Sequence, residues 1–341
     1  MESTKTLQDI RLSVLDLVPI LEGKTVQEAF QSSVTLAKKA EELGFHRFWV
    51  AEHHNMPGIG SSATSVVIGH IAGQTTSIRV GAGGIMLPNH SSLMVAEQFG
   101  TLDAIYPGRI DLGLGRAPGS DQQTMRAVRR GLGTTGDEFP DQLEELRQYF
   151  DPKRSPFPPA VRAYPGEGQN IPIWLLGSSG FSAKLAAELG LPFAFASHFS
   201  PEFTLPALDI YRSNFKPSDV LDKPYVMVGK NVIAAKTNEE AKFLATSMDQ
   251  QFLSLIRGRP ARLLPPNEDL TDHLTIHERA ALDKRGESTI AGDKEFIQKE
   301  LQSFLTETDA DEIIINSMIY DEDARLRSFK SIAEVSKVKH S

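Results

Sequence analysis

The stretch Ile78–Leu114, IRVGAGGIMLPNHSSLMVAEQFGTLDAIYPGRIDLGL, holds one complete structural unit and decides the fold. Ile78–Leu87 is apolar and β-branched apart from Gly83-Gly84, which predicts a buried strand. Val95, Phe99, Leu102 and Ile105 then share one face of a helix over Leu93–Ile105. Arg109–Leu114 returns to strand character. Two strands joined by such a helix form a parallel βαβ unit.

The same alternation continues on both sides. Arg11–Val18 alternates apolar and polar residues as a strand does. Thr25-Val26-Gln27-Glu28 is a capping box, with Val26, Phe30, Val34, Ala37 and Leu43 along one helical face behind it and Gly44 where a left-handed cap belongs. His46–Ala51 leads to a helix over Ala63–Thr76. Beyond the central unit, Ile171–Leu176, Pro192–Ala196, Tyr225–Ala234 and Asp311–Asn316 bring the strand candidates to eight. A closed (β/α)8 barrel and an open doubly wound sheet both accommodate this pattern. The nearest approach to a dinucleotide fingerprint, Gly113-Leu114-Gly115-Arg116-Ala117-Pro118-Gly119, has the wrong third spacing and a proline where a helix should run. The expectation is therefore an α/β fold, a (β/α)8 TIM barrel occupying residues 1–341 as one domain. Two segments break the alternation. The proline-rich Asp151–Asn170 is an irregular excursion, and Gly258–Gly292 is an insertion after the seventh strand, with helix around Thr275–Asp283, of the kind that serves as a lid.

Composition narrows the function classes. The 341 residues carry 36 Lys and Arg against 44 Asp and Glu, a net charge of −8, which speaks against nucleic acid as partner. There is no cysteine, so disulfides, zinc thiolates, iron–sulfur ligation and a cysteine nucleophile are excluded. The apolar runs are too short to span a bilayer, and Met1–Asp9 lacks the apolar core of a secretory signal. The expectation is a cytoplasmic protein that engages no membrane.

In α/β barrels the chemistry sits at the C-terminal ends of the strands. Those ends deliver Asp16, then Glu52-His53-His54-Asn55, Gly83-Gly84 and Pro88-Asn89-His90, Gly115-Arg116, Gly177-Ser178-Ser179-Gly180, Ser197-His198 and Asn316. Ser178, Ser179 and Gly180 open a helix, whose first N–H groups favour an anion; a plain serine cap is the alternative. Arg116 suits a phosphate or carboxylate, or pairs with Asp111 or Asp121. Gly83-Gly84 marks a barrel corner or the close approach of a flat ligand. His53 and His54 point to opposite strand faces and cannot easily ligate one metal. His273 and His277 have helical ligand spacing without an HExxH motif, so no metal is expected.

The motifs Phe48-Trp49-Val50-Ala51-Glu52-His53-His54, Val80–His90, Ala96-Glu97-Gln98, Tyr106-Pro107-Gly108-Arg109, Gly113-Leu114-Gly115-Arg116, Trp174–Ser179 and Leu189-Gly190-Leu191-Pro192 resemble the bacterial luciferase-like flavin-dependent monooxygenases. The likeness runs from about Leu12 to about Ala333. It implies a TIM barrel, often dimeric, that takes reduced FMN from a separate flavin reductase and reacts it with dioxygen and a small or medium organic substrate. Residue by residue, it implies that Arg116, Ser178, Ser179 and Gly180 hold the FMN phosphate. It further implies that Gly83 and Gly84 carry the ring on a non-proline cis peptide and that His53 is the catalytic histidine. By the same resemblance, Asp16, His54, Asn55 and His198 are expected to line the substrate side. Gly115 stands where the luciferases have cysteine, so the alkanal-monooxygenase-like branch is the better match. Within the same fold, a hydride-transfer oxidoreductase and a non-catalytic flavin-binding protein remain as alternatives.

Overall fold

The computed structural model describes residues 5–117, 122–129, 136–156, 160–272 and 274–337. The chain runs β1 (Arg11–Asp16), α1 (Val26–Leu43), β2 (Arg47–Val50), α2 (Thr64–Ala72), β3 (Arg79–Met86), α3 (Ser92–Ile105) and β4 (Ile110–Gly115). It continues with α4 (Gln122–Val128), α5 (Phe139–Phe150), β5 (Ile173–Gly177), α6 (Gly180–Leu189), β6 (Phe193–Phe195) and α7 (Thr204–Asn214). The last third comprises β7 (Val226–Ala234), α8 (Asn238–Ile256), α9 (Ile276–Gly286), β8 (Thr289–Gly292), α10 (Lys294–Thr308), β9 (Glu312–Asn316) and α11 (Glu322–Val335).

All pairings between strands are parallel, and contacts of β9 with β1 and of β6 with β7 close the sheet into a barrel of eight. Each of the eight expected strands is present. The helix ends follow local chemistry: Thr25 and Glu28 form the capping box of α1, and Gly44 caps its other end at φ 85°. The insertion after β7 differs from expectation in one respect. Besides α9, whose own capping box is Thr275 and Glu278, it ends in a ninth strand, β8, which pairs with Asn231–Ala234 of β7. Four residues, Thr-Ile-Ala-Gly, are too few to show a strand period, and they became strand only because β7 is long enough to offer them an edge. Among the described residues no helix is long and apolar enough to cross a membrane.

Strand alternation fills the barrel in layers. Along β2 and just beyond it the odd positions face inward, giving Arg47, Trp49, Ala51 and His53 from base to mouth. At the base Arg47 meets Asp111 of β4 at 2.7 Å and Glu312 of β9 at 3.0 Å. Above it Trp49 and Trp174 pack edge to face at 5.4 Å. The interior ends at an open mouth.

Candidate active site

The mouth holds a cavity of about 390 Å³. Ala51 and His53 line it from the end of β2, Gly83 from β3, Asn231 from β7 and Asn316 from β9. Its roof comes from α8 and the insertion, including Met248, Phe252, Pro260, Ala281 and Arg285. A larger depression of about 590 Å³ lies at the opposite end, beside Arg47, Arg79 and Arg154. Those guanidiniums are already paired, to Asp111, Glu312 and Asp219. The mouth is where the polar groups face space.

The peptide between Gly83 and Gly84 is cis, and the register of β3 against β4 shifts between Gly83 and Ile85. A Cβ at Gly83 would sit 2.9 Å from the Trp49 ring, and one at Gly84 would sit 2.7 Å from the Gly113 carbonyl oxygen. Only glycine fits there. One strand further on, the Arg116 guanidinium lies 4.1 Å from the centre of the Phe181 ring. Phe181 directly follows Gly180, so this contact brings Arg116 to the Ser178-Ser179-Gly180 turn. Ser179 is the N-cap of α6, yet its side chain makes no capping hydrogen bond. Among the described residues no carboxylate pairs with Arg116, and Asp111 is taken by Arg47, Arg79 and the Trp49 indole. Asp121 lies outside the described residues. A guanidinium with no described carboxylate, beside an uncapped helix N-terminus, suits a phosphate, and a backbone without side chains suits a flat ring. Gly83 lines the cavity, whereas Gly84, Arg116, Ser178, Ser179 and Gly180 lie outside its lining.

His53 and His198 share the cavity wall. Burial, then the charges of Arg285, Lys230 and His53, pushes His198 down to about 4, so it is neutral at physiological pH. Asn231 donates to the His198 carbonyl at 3.1 Å and accepts from Asn316 at 2.9 Å. In the roof, Arg285 of α9 pairs with Asp249 of α8 at 2.9 Å. Burial lowers the Arg285 guanidinium and raises the Asp249 carboxyl.

Three expected substrate residues are not in the wall. Asp16 is fully buried on the outer face of β1, bonded to Ser33 of α1 and to Arg325 of α11 at 2.7 Å. Leu15 and Leu17, its neighbours in sequence, face the cavity instead, as alternation requires. His54 turns away for the same reason and reaches Glu52 at 2.8 Å. Asn55 adopts a left-handed backbone, φ 57°, at the start of the loop after β2 and also lies outside the wall. His273 lies outside the described residues. Strand-end reasoning passed over Asn231, which sits inside a long strand, and Arg285, which stood in an exposed-looking charged run.

Residues 10–312 match the luciferase-like monooxygenase family. The chain is 54 % identical over 330 residues to a luciferase-like monooxygenase of Escherichia coli K12, covering 97 % of this chain and 98 % of the relative. It is 38 % identical to the N-acetyl-S-alkylcysteine monooxygenase of Bacillus subtilis, covering 86 % and 88 %. The structure of apo-MsnO8 superposes with a TM-score of 0.86 at 34 % identity, covering 97 % and 99 %. Two more distant structures share the fold. One is the oxygenating constituent of 3,6-diketocamphane monooxygenase from Pseudomonas putida in complex with FMN (TM-score 0.73, 17 % identity, covering 96 % and 98 %). The other is an F420-dependent secondary alcohol dehydrogenase (0.67, 15 %, covering 96 % and 99 %). The TIM barrel, the mouth site and these relatives agree: the chain belongs to the luciferase-like monooxygenase family, whose flavin-dependent enzymes oxygenate organic molecules.

Proposed function

We propose that the protein is the oxygenase component of a two-component system, taking reduced FMN from a separate flavin reductase and oxygenating a small or medium organic molecule with dioxygen. The observation that carries this reading is Arg116 stacked on Phe181 at the uncapped start of α6, at the same end of the barrel as the Gly83-Gly84 peptide. Arg116, Ser178, Ser179 and Gly180 hold the phosphate, and Gly83 and Gly84 let the ring rest against backbone. Reduced FMN, when bound, supplies two electrons to dioxygen, so that one oxygen atom enters the substrate and the other leaves as water. His53 holds or moves a proton beside the ring. His198 stays neutral and lines the substrate side. Met56, Ile59, Met248, Phe252 and Met318 give that side apolar walls, which suit a substrate with an apolar body. The roof of α8 and α9 excludes water. We also infer a cytoplasmic homodimer; α2 and α3 leave Val66, Met94 and Ile105 exposed.

The test is anaerobic titration with reduced FMN, followed by mixing with isotopically labelled dioxygen and a panel of thioethers, ketones and aldehydes. One labelled oxygen atom per product molecule is the expected result. Turnover that continues without oxygen would instead mean hydride transfer, and tight flavin binding with no turnover a carrier.

A further inference from the structure

Glu52 is an ionisable side chain at the mouth to which neither the family motifs nor the proposed chemistry gives a role. It is 1 % exposed and faces away from the cavity. Its carboxylate accepts from the Met86 N–H at 2.8 Å, His54 Nε2 at 2.8 Å, His90 Nε2 at 2.9 Å and Asn89 Nδ2 at 3.0 Å. Its own N–H donates to the Gly84 carbonyl at 3.1 Å. Asn89 in turn accepts from Arg129 at 2.7 Å. We infer that Glu52 is the positioning residue of the flavin floor: it grips the Gly84–Met86 segment at both ends and, by locking the outer face of β2's end, turns His53 into the cavity.

Gly84 lies at the point where β3 slips register against β4, between Gly83 and Ile85, where the ladder alone does not fix the backbone, and Met86 lies just beyond it. One residue of the neighbouring strand supplies a donor to the first and an acceptor to the second. Alternation does the rest, since a Glu52 tied outward leaves His53 no side but the inner one. Were Glu52 only a satisfied buried acid, its donors would come from anywhere nearby. They come instead from three segments that border the site: the end of β2, the end of β3, and the turn leading to α3. Burial opposes the charge on Glu52, but the hydrogen bonds from His54 and His90 outweigh it and bring the carboxyl down to about 2. His54 is raised in return, chiefly by its bond to Glu52. The charged or titratable groups around Glu52 are therefore His54, His90 and, through Asn89, Arg129.

The inference rests on the flavin reading, and Glu52→Gln tests it with two independent readouts. The first is the dissociation constant for reduced FMN, expected to rise at least tenfold in a variant that keeps the wild-type circular dichroism spectrum. The second is the His54 ring titration by NMR, assigned through His54→Gln, whose midpoint should fall from above 6.5 to at or below it. If Glu52→Gln does not fold, His54→Gln and His90→Gln each remove one donor; each should weaken reduced FMN about threefold and the pair about tenfold. A folded Glu52→Gln within twofold of the wild-type affinity would overturn the inference, as would an unmoved His54 titration. If the wild type itself binds no reduced FMN, the flavin reading fails. The grip is then judged on His54 and on the fluorescence of Trp49, which abuts Gly83, and unchanged emission would overturn it.

Discussion

The two ends of the barrel are built from the same residue types and differ in who partners them. At the base, Arg47 is bonded to Asp111 and Glu312, Arg79 shares Asp111, and Glu312 also accepts from Ser13 and from Tyr225 at 3.1 Å. The Arg47 guanidinium further lies 4.7 Å over the Trp174 ring. Burial works against its charge, but Glu312 and Asp111 outweigh burial and hold it protonated. At the mouth, Arg116 has an aromatic ring and no described carboxylate, and the N-cap serine of α6 caps nothing. At the base the chain satisfies its own polar groups, which serves stability, whereas a guanidinium and a serine cap left facing space suit a ligand.

That contrast breaks most visibly at the base. Arg47→Met leaves Glu312 buried without its cation, and removing one partner of a buried pair costs about 3–5 kcal/mol. Urea denaturation should show a loss of that size, with little change in reduced FMN affinity for the fraction that folds. A loss below about 1 kcal/mol would mean that the base cluster is not a closed unit.

The mouth should respond in the opposite way. His53→Ala should lower turnover at least ~100-fold, the usual scale for a lost acid–base group, with unchanged melting temperature and flavin affinity. Arg116→Ala should weaken reduced FMN by about tenfold to ~100-fold, in keeping with a charge-assisted contact worth about 1.5–3 kcal/mol. Its stability should match the wild type within about 0.5 kcal/mol. If instead Arg116→Ala unfolds the protein and keeps its affinity, the guanidinium belongs with Arg47 as structure.

The barrel was legible because its signal is long and repeated: eight apolar strand runs, each followed by a helical face, leave little choice of closure. The site was legible to the extent that strand ends mark it. Arg116, Gly83 and the serine turn stood at such ends, and the fold brings Arg116 to Phe181 beside the serine turn while Gly83 lines the cavity. Asp16 and His54 stood there too, but strand-end position says nothing about which face a side chain takes. Parity along β2 separates Arg47, Trp49, Ala51 and His53 from Glu52 and His54, and parity along β1 separates Leu15 from Asp16. That information lay in the sequence once strand bounds were known to within a residue. Asn231 and Arg285 were harder. One needed the length of β7, and the other needed the pairing of α9 with α8 across a long insertion, a contact no local pattern encodes.

The smallest expected effect compares one histidine from each end. His46 at the base and His198 at the mouth are both pushed down to about 4, by burial first and then by neighbouring cations. Those cations are Arg47 and Arg11 around His46, and Arg285 and Lys230 around His198. A histidine depressed in the folded state stays neutral there while the unfolded chain takes up its proton near pH 6.5. Its contribution to stability is therefore complete above pH 6.5 and drains away as the pH falls towards 4. His198→Asn should abolish about 1 kcal/mol of the stability that the wild type loses between pH 7 and pH 5, a figure discounted for solvent reaching the cavity. His46 is ringed by guanidiniums that no ligand neutralises, so reduced FMN should leave its share of the acid loss untouched. An anionic flavin seated at the mouth offsets the cations around His198 and should shrink the share belonging to that residue. Urea titrations at the two pH values, with and without reduced FMN, separate the two ends. Equal flavin effects in wild type and His198→Asn would mean that the ligand's charge does not reach the substrate wall.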